Sequence, residues 1–177
     1  MALLGNTLHS AYVGWGGPEQ NAVGPFTASE NGSATEIHVV LNLTANESVA
    51  LGILADNNGE PGAALDSVEV YHNNSPSGTI ECIATGRSVN LVAGSKYWVA
   101  WSSPYANWWS DPGNAGGVGK YKVRTYDGTI VTLSGYSTFS TKLNGWLVYT
   151  PTGGGTAVLP RMIGVPFTPG HDLLRRD

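Results

Sequence analysis

The residues best suited to binding chemistry lie in one short aromatic segment. Tyr105, Asn107, Trp108, Trp109 and Asp111 fall close together, between a predicted strand and a glycine-rich stretch. Aromatic rings can stack on the faces of sugars, and Asn and Asp side chains can hydrogen-bond to sugar hydroxyls. The same rings can also cover the end of a hydrophobic core or bury against a second subunit. The segment therefore predicts a core lid, a protein interface or a sugar platform.

A second candidate is the loop from Asp56 to Glu60, which offers several oxygen ligands of the kind that calcium prefers. Its spacing differs from that of an EF-hand loop, because Gly59 is the fourth residue rather than the sixth. Asn58 and Gly59 are also a strong signal for a tight turn, with Asp56 capping the end of the preceding strand. We predict the turn and keep a calcium site as the alternative.

No pattern of a known catalytic centre occurs in the sequence. The chain has no nucleophile-elbow serine motif, no zinc-protease motif, no paired cysteines and no dinucleotide-binding fingerprint. The glycine-rich stretch before Lys120 fails as a phosphate loop, because Asn114 and Tyr121 stand where that motif needs Gly and Ser or Thr. We predict a non-enzymatic protein with no catalytic residue, metal ion or cofactor. A glycosidase built on two of its 13 carboxylates is the enzymatic alternative.

Composition and charge limit the classes of partner. The 177 residues include 9 Lys and Arg and 13 Asp and Glu, which gives a formal net charge of −4. A net charge that is small and negative disfavours electrostatic capture of nucleic acid or of an anionic membrane, and we expect neither as a partner.

The single cysteine, Cys82, excludes an intrachain disulfide. No secretory signal and no membrane-spanning apolar run occurs in the sequence, so we expect assembly in the cytoplasm.

Alternation of apolar and polar residues recurs along the chain and predicts strands. The clearest run begins at Glu36 and places Ile37, Val39, Leu41 and Leu43 on one face. Further strands are predicted over residues 49–55, 65–72, 79–84, 96–102, 120–126, 129–133 and 145–150. Eight or nine short strands without helical periodicity predict an all-β protein, an antiparallel β-sandwich of jelly-roll-like type.

Two of these strands carry further expectations. The segment 96–102 is apolar on both faces, which is typical of a central strand. The segment 120–126 places Lys120, Lys122 and Arg124 on one face, which we expect to be exposed to solvent.

The chain is expected to divide into an N-terminal segment (1–19), a sandwich domain (20–150) and an extended C-terminal arm (151–177). The arm follows a glycine hinge, and its prolines at 160, 166 and 169 forbid a helix or a central strand. Six of its side chains are too apolar for a solvated tail: Val158, Leu159, Met162, Ile163, Val165 and Phe167. They are expected to pack along the chain's own sandwich or to dock on a neighbouring subunit.

Three segments, Ala34–Leu41, Val49–Gly62 and Leu91–Trp101, resemble a β-sandwich module found in bacterial surface proteins and in bacteriophage virion proteins, among them decoration and fibre proteins. The resemblance covers roughly residues 20–150. It implies structural roles for the turn after Asp56 and for the strand that contains Tyr97, and it implies no catalytic residues.

The resemblance implies a function. Surface-anchored members carry a signal peptide and an anchoring tail, and neither pattern is found in this sequence. We therefore expect a virion component that assembles in the host cytoplasm. It would be a non-enzymatic structural protein, a phage head or tail decoration or fibre-associated module. Expected partners are capsid or tail subunits, further copies of the chain, with a trimer the first expectation, and a host glycan. The alternative is a carbohydrate-binding adhesion module in which Tyr105, Trp108 and Trp109 form the stacking platform.

Overall fold

The computed structural model describes residues 1–7, 11–13, 18–43, 46–72, 78–105, 107–111 and 118–153, and only the backbone of residues 11–13, 78, 107–111 and 140–142. All regular elements in these residues are β-strands. They are β1 (Ala2–Asn6), β2 (Ala11–Val13), β3 (Glu19–Thr27), β4 (Gly32–Leu43), β5 (Glu47–Asn57), β6 (Glu60–His72), β7 (Gly78–Ala84), β8 (Val89–Leu91), β9 (Lys96–Ser103), β10 (Asn107–Asp111), β11 (Val118–Val123), β12 (Ser137–Leu143) and β13 (Gly145–Pro151).

The strands form two antiparallel sheets that pack face to face. The first sheet orders β1, β13 and β4, with β7 and β8 on the far side of β4, and the second orders β12, β11, β3, β9, β5 and β6. Strand β10 pairs with both β4 and β12 and so joins the two sheets, while β2 pairs with its other edge. Across the interior, β4 lies against β5, β13 against β9 and β1 against β3. The predicted antiparallel β-sandwich is confirmed.

Alternate residues of the central strands fill the space between the sheets. Ile37, Val39, Leu41 and Leu43 of β4 are all buried there, as the alternation predicts. Strand β9 lies between β3 and β5 and is buried on both faces, which confirms its predicted central position. Full burial of one such aliphatic side chain contributes about 1.5–3 kcal/mol.

A second apolar layer covers the outer face of the second sheet. Residues 124–136 cross this face, and Ile130 packs there against Trp98. A strand was predicted over 129–133, and this prediction is wrong. The Gln20 amide takes the place of a neighbouring strand, because its Nε2 donates to Val131 O (2.8 Å) and its Oε1 accepts from Val131 N (3.0 Å).

The expected exposed cationic face lies under this covering segment. Lys120 is only 8% exposed, and its Nζ donates to Glu60 Oε1 (2.5 Å) and Thr138 Oγ1 (2.8 Å). Lys122 donates to the carbonyl of Gly135, and Arg124 to the carbonyl of Thr129. The prediction of solvent exposure is wrong for Lys120, which is buried, while Lys122 and Arg124 are half-buried. All three cations donate hydrogen bonds to neighbouring groups of the protein.

The sandwich extends beyond the expected limit at residue 20. Strand β1 pairs with β13 from Ala2, opposite Tyr149, to Asn6, opposite Gly145. The last strand ends at Pro151, and the six apolar residues of the expected arm lie outside the described residues. Within the described ranges, no helix has the length and apolar character needed to cross a membrane.

Candidate functional site

The inner face of the second sheet changes from apolar to polar towards one end. Asn21 lies opposite Trp101 across β3 and β9, and Glu19 lies opposite Ser103 one step further along. On the neighbouring pair of strands, Glu47 lies opposite His72. These residues continue the alternation of the core positions, so their side chains belong to the interior face. We call the six residues, Glu19, Asn21, Glu47, His72, Trp101 and Ser103, the polar end.

A buried carboxylate organises the centre of the polar end. Glu47 and Ser103 are each only 3% exposed, and the Ser103 hydroxyl donates a hydrogen bond to Glu47 Oε1. The backbone N–H of Tyr105 donates to the same carboxylate oxygen (3.3 Å) and to Ser103 Oγ (3.1 Å). Hydrogen bonds to a charged acceptor are the stronger kind, so this arrangement fixes the chain where it leaves β9.

Four polar atoms of the polar end have no hydrogen-bond partner among the described residues: Glu19 Oε2, Asn21 Oδ1, His72 Nε2 and Trp101 Nε1. Burial raises the pKa of Glu19. Burial also lowers the pKa of His72, against the opposing effect of the Glu47 charge. Both shifts favour the neutral forms, which can donate as well as accept hydrogen bonds.

The aromatic segment, residues 105–111, begins at the polar end. Tyr105 is 67% exposed, although its backbone is tied to Glu47. Asn107, Trp108, Trp109 and Asp111 follow in β10, a strand rather than part of a loop. Strand β10 pairs with β4 at its beginning, with β12 at its end and with β2 along its other edge. The segment thus leads from the polar end into the connection between the sheets.

The loop after β5 is the predicted turn. Asn58 and Gly59 both have positive φ, 55° and 86°, as a two-residue hairpin turn requires. Asp56 Oδ2 accepts from Gly59 N (3.0 Å), and Asp56 Oδ1 accepts from Trp98 Nε1 (2.8 Å). One carboxylate oxygen therefore closes the turn, and the other ties it to the buried Trp98. Nowhere in the described part of the chain do three or more His, Cys, Asp or Glu side chains form a group that could hold a metal ion.

A cleft of about 760 Å³ lies between this hairpin and residues 132–136. Asp56, Glu60 and Tyr136 line it. Asp56 accepts from Trp98 Nε1, Glu60 pairs with Lys120, and the Tyr136 hydroxyl accepts from Gln20 Nε2 (2.7 Å). These three polar side chains of the cleft thus bind neighbouring groups of the protein.

A histidine lies between two carboxylates on the outer face of the first sheet. His38 Nδ1 is 2.8 Å from Glu81 Oε1, and His38 Nε2 is 2.8 Å from Glu36 Oε2. The imidazole stacks on Trp146, with ring centroids 5.1 Å apart. The sequence alternation placed Glu36 and His38 on one face, but Glu81 joins them only through the pairing of β4 with β7.

Sequence reasoning missed most of the polar end, although a signal for it exists. Glu19 and Asn21 stand four and two positions before the buried Val23, and Glu47 stands two before Val49. Polar residues in the core register of a strand mark a place where the core becomes polar.

Comparisons of this chain with protein-family models, with curated proteins and with solved structures find no match.

Proposed function

We propose that this chain is a non-enzymatic structural protein of a bacteriophage particle, a head or tail decoration or fibre-associated module that binds neighbouring subunits. The observation that carries the proposal is where the sandwich ends. Strand β13 closes at Pro151, and the apolar, proline-rich sequence with its six large side chains follows it. An extended segment of this composition is suited to lie in an apolar groove of a partner.

The mechanism would be burial of apolar surface, repeated over many copies. Transfer of apolar surface from water contributes about 25 cal/mol per Å². Simultaneous engagement of several arms on a symmetric particle raises the overall affinity without any new contact. The three segments that carry the resemblance support a framework role for the sandwich, because they supply β4, the β5–β6 hairpin and β9.

The test is the mass of the purified protein in solution, by light scattering at two concentrations. We expect the full chain to form a defined oligomer, and a variant that lacks residues 157–177 to be a monomer. Circular dichroism of the truncated variant should retain the β-sheet signal. An unchanged oligomer after truncation, or a monomer in both cases, would contradict assembly through the arm.

A second candidate function is carbohydrate binding, favoured by the position of Tyr105. Its side chain is largely exposed, and its backbone N–H donates to the Glu47 carboxylate of the polar end, where four polar atoms have no hydrogen-bond partner among the described residues. An aromatic ring next to mixed hydrogen-bond donors and acceptors suits a sugar, whose ring face is apolar and whose hydroxyls both donate and accept.

A glycan array tests this second candidate. Tyr105→Ala and Trp108→Ala should each abolish binding that the unchanged protein shows. The matched control is Tyr71→Ala, because Tyr71 is also an exposed tyrosine (59%) but lies on β6. Equal loss in all three variants, or glycan binding that survives both test substitutions, would remove the carbohydrate proposal.

A further inference from the structure

The outer face of the first sheet carries apolar side chains across four adjacent strands. Leu3 of β1 lies opposite Val148 of β13, while Trp146 of β13 lies opposite His38 of β4, which in turn lies opposite Ile83 of β7. Leu3 is 62% exposed and Ile83 39% exposed, whereas Val148 and Trp146 are each 9% exposed. We call these four apolar residues and His38 the outer face.

The outer face is acidic as well as apolar. Glu36 lies opposite Val148, and Glu81 lies opposite Val40, so both carboxylates border the apolar side chains. They share the single imidazole of His38. One imidazole carries at most one positive charge, so the group keeps a net negative charge whenever both carboxylates are ionised.

Residues 158–167 have the complementary composition. Six of the ten are the apolar residues of the arm, and Arg161 is the only charged one. No Asp or Glu occurs between positions 154 and 171. An apolar segment with one cation therefore matches an apolar face bordered by carboxylates, and a guanidinium is the side chain best suited to bind a carboxylate in two places.

We propose that the outer face binds residues 158–167 of a second copy of this chain. The inference rests on the proposed function, assembly through the arm, and adds the surface to which the arm binds. Ten extended residues span about 33 Å, more than the ~14 Å between the outermost of four adjacent strands. Each copy has one arm and one outer face, so exchange between copies can close a symmetric oligomer in which every face is covered.

Exposed positions provide the first test. Leu3→Lys and Ile83→Lys place a cation against Arg161 and should each weaken self-association by about tenfold, measured by light scattering over a dilution series. Val123→Lys is the matched control, because Val123 is 66% exposed on β11 of the other sheet. Circular dichroism checks that each variant folds. Unchanged association in both test variants would overturn the inference.

A charge exchange provides the second test. Arg161→Glu should weaken association, and the double variant Arg161→Glu with Glu81→Arg should recover it. Glu81 is suitable because its side chain is 45% exposed. A double variant that associates no better than Arg161→Glu alone would contradict the assigned contact.

Cysteine cross-linking decides whether the arm comes from another copy. One variant carries Leu3→Cys and the other Met162→Cys, and the two are mixed before oxidation. We expect a disulfide-linked heterodimer; the native Cys82 is buried and should not compete. A disulfide within a single chain that carries both substitutions, with no disulfide between the mixed chains, would overturn exchange between copies.

The inference and the proposed function can fail separately. If truncation of the arm abolishes the oligomer but the substitutions on the outer face do not, the outer-face inference fails while the proposed function stands.

Discussion

Glu47 illustrates how one buried side chain can hold several others. Its Oε1 accepts hydrogen bonds from the Ser103 hydroxyl and from the Tyr105 backbone. The carboxylate is 3% exposed, so neither donor could turn to bulk water without local opening. The start of the aromatic segment thus depends on a residue 58 positions earlier in the chain.

Removal of that carboxylate should lower stability and loosen the segment. Glu47→Ala leaves the Ser103 hydroxyl without this acceptor, and we expect a loss of about 1.5–3 kcal/mol in the free energy of unfolding, measured in urea. Ser103→Ala removes only one of the two donors, so it should lower the free energy of unfolding by less than Glu47→Ala does. A larger loss in Ser103→Ala than in Glu47→Ala would show that the hydroxyl, not the carboxylate, organises the site.

Glu19 should make stability depend on pH. Burial raises the pKa of Glu19 in the folded protein above its value in the unfolded chain, so the folded state binds the proton more tightly. Stability then falls as the pH rises from the unfolded pKa through the folded one. We therefore expect Glu19→Gln to be more stable than the unchanged protein at pH 7, with a difference that shrinks as the pH falls towards about 4.5.

Urea unfolding at a series of pH values measures this difference. Glu30→Gln is a suitable control, since Glu30 lies on the turn after β3, away from the polar end. A stability difference for Glu19→Gln that does not change between pH 7 and pH 4.5 would argue against a perturbed Glu19.

At the scale of elements, residues 124–136 show how an irregular segment can be held as firmly as a strand. Gln20 supplies a donor and an acceptor to Val131, and the Ser67 hydroxyl accepts from Ile130 N (2.7 Å). Side chains of the sheet thus satisfy backbone groups that a ladder would otherwise pair. The segment stays in place over the second apolar layer because its own Ile130 is buried there.

Loss of the Gln20 amide should release this segment without unfolding the sandwich. In Gln20→Ala we expect faster hydrogen exchange at Val131 N, together with unchanged protection in β9. Tyr136→Phe is the matched control, because it removes only the hydroxyl that accepts from the same amide. Equal exchange rates at Val131 in Gln20→Ala and in the unchanged protein would indicate that burial of Ile130 alone holds the segment.

The elements differ in how far the sequence predicts them, and the reasons are physical. Strand β4 was predicted because one of its faces is purely apolar from Ile37 to Leu43, whereas β3 was missed because it begins with the polar residues Glu19, Gln20 and Asn21. The aromatic segment was recognised by composition, but only strand pairing places Tyr105 beside Glu47. Which side chains meet across sheets depends on register, and alternation along one strand does not carry that information.

At the scale of the whole molecule, the sandwich should open as one unit, and Cys82 can report it. This thiol is buried on the inner face of β7, and burial, with Glu47 and Glu81 nearby, raises its pKa to about 12. A neutral, buried thiol does not react with alkylating agents. Labelling of Cys82 should therefore require global unfolding, with a urea midpoint equal to that from circular dichroism.

Labelling at urea concentrations well below that midpoint would instead show that β7 opens separately from the rest. The same experiment on Glu47→Ala separates a local effect from a global one. A loosening confined to the aromatic segment would leave both midpoints as they are in the unchanged protein, whereas a global loss of stability lowers both.

The pairing of β1 with β13 also has a mechanical consequence. The two strands run antiparallel at the edge of the first sheet, and Ala2 lies directly opposite Tyr149. The beginning of β1 and the end of β13 therefore lie next to each other at the same end of the sheet. Tension applied between them would open the β1–β13 ladder one hydrogen bond at a time, as in a zipper, instead of shearing all its bonds together. If the protein is held at both ends, the force acts on the β1–β13 ladder and not on the rest of the sandwich. The force that the sandwich withstands is then set by the first hydrogen bond of that ladder.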